Sequence, residues 1–148
     1  MRSRLAVALA CAAIVAVVLA VHAADAPQKA PADGVFIHLS HGSDDPHRVL
    51  MALSMAQKMA EDHPVLIYFD IRAIDVVLAD AEDLTYAQFT PLKAQLANLG
   101  EKGVRLMACP GCLQAAGKTP EDLADGIAVA DKAAFFNFTD GRILTLDY

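Results

Sequence analysis

The sequence predicts a single α/β domain, three layers deep, on a mainly parallel sheet. Three observations predict it. Runs dominated by Val, Ile, Leu and Phe at 35–39, 65–69 and 104–108 are apolar at nearly every position, as in strands buried on both faces. Between them lie segments whose apolar residues recur every three to four positions, the period of a helix face. Alternation of the two kinds is the pattern of parallel strands joined by helical crossovers, with the sheet covered on both faces.

The chain up to Asp33 stands apart from that domain. Met1 to Arg4 is basic, Leu5 to Val21 carries no charge, and Val21–His22–Ala23 fits the small-x-small cleavage rule, with a mature start near Ala24. Residues 1–23 therefore read as an export signal, and the protein as periplasmic or otherwise exported. The apolar stretch is long for a signal, so an uncleaved N-terminal membrane anchor is the alternative. Residues 24–33, rich in Ala and Pro, read as a linker, and 34–148 as the domain.

Within the domain, Val35–Leu39 is the first strand and Ser40–Asp45 a polar loop. Asp45 caps a helix over Pro46–Glu61, with Pro46 at its first position. Val49, Ala52, Leu53, Ala56 and Ala60 form one stripe of that helix, and Met51, Met55 and Met59 a second. Two stripes predict contact with both the sheet and another subunit. Val65–Phe69 is the second strand and Ile71–Leu78 a short helix. Thr90 can cap a helix from Pro91 to Gly100, with Leu92, Leu96 and Leu99 inward. The strand 104–108 precedes a short helix that Gly117 closes. Thr119–Asp122 is another capping pattern, and Ile127–Val129 a short strand. Ala130–Phe138 reads as helix, Asp140–Gly141 as a turn, and Ile143–Leu146 as the last strand.

The chain carries 12 Lys and Arg against 18 Asp and Glu, a formal −6; without residues 1–23 the balance is 10 against 18, or −8. Such a charge speaks against nucleic acid and anionic membrane surfaces as main partners. Of the three cysteines, Cys109 and Cys112 fall in the domain. Three residues apart, they cannot staple distant parts of a fold. They can close a local disulfide, bind metal with further ligands, or act in redox or sulfur chemistry.

Cys109–Pro110–Gly111–Cys112 is the most informative stretch. A cysteine at a strand-to-helix junction lies beside the unpaired first-turn N–H groups and the positive end of the helix dipole, and both favour the thiolate. Cys112, at the third helical position, should stay closer to the free thiol value. Cys109 is thus the candidate nucleophile and Cys112 a candidate resolving thiol. Ligands of open parallel sheets bind beyond the carboxyl ends of the strands. The loop after the first strand lies at that end with Cys109. His41, Gly42 and Gly111 are the candidate substrate-binding residues. His38 alternates with apolar neighbours and reads as a satisfied core or interface histidine. No metal ligand set and no organic cofactor is implied.

Three stretches resemble the DsrE family of small sulfur-relay proteins, including its TusD- and YchN-like members. They are Phe36–Gly42 leading through Asp44–Asp45–Pro46 into an Ala- and Met-rich helix, Val65–Asp70, and Met107–Ala108–Cys109 to Gly117. The resemblance implies a DsrE/YchN-like fold over Gly34–Tyr148 and marks Cys109 as the position of the family's persulfide-forming cysteine. Cys112 resembles the Cys-x-x-Cys of YchN-like members. The arginine that often precedes the closing glycine is replaced by Ala116. The family also implies a homo-oligomer, a trimer or a hexamer, that meets a sulfur donor or acceptor protein or a small sulfur compound. The leading reading is a protein that carries or transfers sulfane sulfur as a Cys109 persulfide. A thiol–disulfide redox protein, a soft-metal-binding module using both thiolates and His41, and an oligomeric interaction module are the alternatives.

Overall fold

The computed structural model describes residues 30–148. The expected export signal (1–23) and residues 24–29 of the expected linker lie outside the described residues. Among the described residues no helix is long and apolar enough to cross a membrane.

The strands are β1 (Gly34–Leu39), β2 (Val65–Phe69), β3 (Arg105–Ala108), β4 (Ile127–Val129) and β5 (Ile143–Asp147). The helices are α1 (Pro46–Met59), α2 (Leu92–Glu101) and α3 (Pro110–Ala115), with 3-10 turns at Ile71–Val76 and Pro120–Asp122. The five strands make one sheet in the order β4-β3-β2-β1-β5, every neighbouring pair parallel. The predicted α/β class with a parallel sheet is therefore what the chain forms.

Strand alternation sorts the side chains onto two faces. Val35, Ile37, Leu39, Ile67, Phe69, Leu106 and Ala108 form one core with Val49, Leu50, Leu53 and Ala56 of α1, Leu92 and Leu99 of α2, and Leu113 of α3. Each of the larger side chains contributes about 1.5–3 kcal/mol by its burial. Gln95, fully buried, ties α2 to α1. Its amide donates to the Thr90 and Leu50 carbonyls, and its Oε1 accepts from Ser54 and Gln57. A buried amide with all these partners costs little and fixes the helix pair. So α2 occupies one flank of α1. On the other flank Met59 packs on the core and Met51 stays exposed.

The opposite sheet face presents Phe36, His38, Leu66, Tyr68 and Met107. Here the structure departs from the sequence reading: Ala130–Phe138 is a run of turns, not a helix. Asp131 accepts the Ala134 N–H at 2.8 Å, a capping contact, but only one turn follows it, closed by the Asn137 N–H on the Ala133 carbonyl at 2.9 Å. Arg105 Nη2 donates to the Asn137 carbonyl at 3.0 Å. Phe135 packs on Phe36 and Tyr68, with ring centroids 5.8 and 5.0 Å apart. These ties outweigh alanine's helix propensity. The third layer is thus a turn-rich strap, and His38 and Tyr68 stay half-exposed beyond it.

Smaller corrections have local causes. α1 stops at Met59, and the expected helix at 71–78 is a 3-10 turn over Ile71–Val76. Thr90 does not cap α2. Asp83 Oδ1, from the preceding loop, accepts the Lys93 N–H at 2.8 Å, and the Thr90 carbonyl is taken by Gln95.

Candidate functional site

β3 leaves the sheet at Cys109, whose N–H still donates to the Phe69 carbonyl at 2.8 Å. Cys109 is the N-cap of α3, and its Sγ accepts the Cys112 N–H at 3.3 Å. Pro110 pre-sets the first helical turn, and Leu113, buried in the core, pins the helix down. Gly117 ends it at φ +69°, a left-handed conformation that glycine adopts freely and other residues do not. The Lys118 N–H then bonds to the Leu113 carbonyl at 3.0 Å. Both cysteines are half-buried and free.

A helix of six residues has a weak dipole, so direct contacts set the thiols. Burial by itself pushes the Cys109 thiol up. The Tyr68 hydroxyl, the Cys112 thiol and the N–H groups of Cys112 and Gly111 outweigh it and hold Cys109 below its ordinary value. Cys112 goes the other way. Burial, its bond to Cys109, and the charges of Cys109 and Asp70 raise it; the Ile71 N–H only partly offsets them. Of the two thiols, Cys109 is therefore the one that gives up its proton first. The predicted asymmetry has its cause in neighbours more than in helix position. Tyr68 is the residue that sequence reasoning missed. Its signal was faint: the one polar side chain in Val65–Phe69, next to the strand that ends at Cys109.

Three further groups stand close by. His38 Nε2 is 2.9 Å from Asp70 Oδ2, and its Nδ1 is 2.9 Å from Asp147 Oδ1. Carboxylates only accept, so the imidazolium alone can satisfy both contacts. Burial of the ring opposes that charge, but the two carboxylates prevail and raise His38 above its usual value. Asp70 Oδ1 is buried without a hydrogen-bond partner. Ile71 follows at φ +48°.

Cys112 opens on a depression of about 530 Å³ lined by Ile71, Arg72, Asp75, Ala115 and Ala116. Gly111 and the two cysteines share one turn. His41 and Gly42 belong to a neighbouring loop and do not line that depression. His41 Nδ1 lies 3.3 Å from Asp44 Oδ2. At Gly42 any Cβ would collide with the Arg72 carbonyl, which accounts for the glycine by close packing. Arg72 reaches back to Asp44 at 3.4 Å, so the loop touches the site through the 3-10 turn at Ile71–Val76. Among the described residues no group of three or more His, Cys, Asp or Glu side chains is arranged to hold a metal ion.

A family model described as "DsrE/DsrF-like family" matches residues 33–141. Two solved structures are similar in fold. One is a protein of unknown function, MTH1491, from Methanobacterium thermoautotrophicum: 19% identity over 76% of this chain and 97% of that chain, TM-score 0.56. The other is the ychN protein from E. coli: 15% identity over 77% of this chain and 99% of that chain, TM-score 0.53. No curated protein is a significant match in sequence.

Proposed function

The chain belongs to the DsrE/DsrF-like family, and from that premise we propose that it handles sulfane sulfur at Cys109, with Cys112 as the resolving thiol. The observation that carries this reading is the opposite displacement of two thiols one helical turn apart: Cys109 held low by its donors, Cys112 held high beside it.

The steps balance. The Cys109 thiolate attacks the outer sulfur of a persulfide or polysulfide, forming Cys109–S–SH as the donor leaves as a thiolate. The persulfide sulfur then passes to an acceptor thiolate, or Cys112 attacks Cys109 Sγ. In the second case the S–S bond to the outer sulfur breaks, the Cys112 proton goes to the departing sulfide, and a Cys109–Cys112 disulfide forms. The two thiols are oxidised and the sulfane sulfur is reduced. The fold gives less support to a thioredoxin-type redox protein, because the cysteine pair follows the third strand of a different sheet order.

We further propose that the protein is exported with a start near Ala24 and works as a homo-oligomer, a trimer or a hexamer. Mass spectrometry of protein secreted by its native route, native and denaturing, tests these points together. After polysulfide and removal of the excess without reductant, the Cys112→Ser variant should gain one sulfur atom and Cys109→Ser none. Sulfur gain on Cys109→Ser alone would refute the assignment. A start at Met1, or monomer only, would refute export or assembly separately.

A further inference from the structure

Tyr68 lies between Ile67 and Phe69, which are buried toward the helices, so its side chain is on the strap face. Its register partner across the β2–β3 pair is Met107, and Cys109 is the next residue of β3's side of that face. The ring is clamped on three sides. Phe135 meets it edge-on at 5.0 Å and 73°, His38 stacks at 6.2 Å, and Phe36 stacks at 6.3 Å. A tyrosine held this way has little freedom to swing, and its hydroxyl finds a fixed partner. The Cys109 side chain lies on that face one step along the neighbouring strand, and it is the group this hydroxyl acts on most directly.

We propose that Tyr68 is a positioning residue for Cys109: its hydroxyl donates to Sγ, holds the thiolate in place, and so decides which of the two thiols is the nucleophile. The consequence for sulfur transfer rests on the function proposed above; the effect of Tyr68 on the thiol does not. Burial and the neighbouring thiolate keep the phenol protonated well above its usual range, so it stays a donor wherever Cys109 titrates. A donor on the sulfur has two opposed effects. It increases the thiolate fraction below the thiol's pKa, and it takes electron density from the attacking sulfur. Nucleophilicity falls with pKa at a Brønsted slope of about 0.4–0.5, so at neutral pH the gain in thiolate wins and at high pH the loss wins.

This crossing is the test. Alkylation by iodoacetamide is followed against pH in Cys112→Ser and in the same protein carrying Tyr68→Phe, under reducing conditions. The second protein should titrate about one unit higher, react about threefold more slowly near pH 7, and react about threefold faster on the alkaline plateau. An unchanged midpoint, or an equal loss at every pH, overturns the proposal; a merely structural role for the ring gives the latter. Should Tyr68→Phe not fold, tyrosine labelled at Cζ with carbon-13 in Cys112→Ser serves instead. The Tyr68 resonance should move with the Cys109 midpoint, and a resonance that stays still overturns the idea. Sulfur loading read by mass on the same samples is a separate arm. A crossing without sulfur uptake removes the proposed function and leaves the role of Tyr68 standing.

Discussion

Ile71 carries a β-branched side chain at φ +48° and leaves it 64% exposed. Such a residue in the left-handed region costs about 1–2 kcal/mol. Its N–H lowers the Cys112 thiol, so the strain is local to the site. Ile71→Gly keeps that N–H and removes the strain. We expect urea denaturation to show a gain of about 1 kcal/mol, while Cys112 alkylation in a Cys109→Ser background stays unchanged. A loss of stability would mean that the Ile71 side chain packs more than its exposure suggests. Neither Ile71 nor Tyr68 could be read as special from the sequence. Cys109, Pro110 and Gly117 could, because N-cap, first-turn and left-handed positions are set by neighbours in the chain. The importance of Tyr68 depends on which strand lies beside β2 and in what register, and no local pattern encodes that.

At the scale of elements, the helices that packing and capping agree on were legible: Asp45–Pro46 opens α1 as expected, and Asp45 Oδ1 accepts the Arg48 N–H at 3.0 Å. The strap was not, because Asp131, Arg105 and the Phe36–Tyr68 surface decide it from elsewhere in the sequence. His38 read correctly as a satisfied histidine, but its partners, Asp70 after β2 and Asp147 in β5, come from two other elements. That bridge fastens β5 to the body of the sheet in a pH-dependent way. The folded value of His38 is raised, so its contribution is full below the unfolded value of about 6.5 and is lost as pH rises through the folded value. Amide exchange in β5, corrected for intrinsic rates, should accelerate across that interval. His38→Gln should remove the pH dependence; a dependence that survives in this variant would assign it to another group.

Across the whole molecule, apolar side chains left exposed include Phe136 on the strap and Ile143 and Leu144 on β5. β5 is an edge strand, so this is apolar surface that a second copy could cover. The same strand order has a consequence in time. β1, made first, has β2 on one side and β5 on the other, and the His38–Asp147 contact joins residues 109 apart in sequence. During synthesis or refolding, β1 therefore holds an open edge until nearly the whole domain exists. Loop closure over such a span must precede the reward of pairing, which slows folding and exposes the intermediate to association. Stopped-flow refolding at low protein concentration should give a main phase of about milliseconds to seconds. A chain cut after Arg142 should fail to unfold cooperatively; a cooperative transition there would show that β1 does not need its late partner. Under the export proposed above, a sheet closed only by its last-made strand would keep the chain open long enough to cross a membrane unfolded.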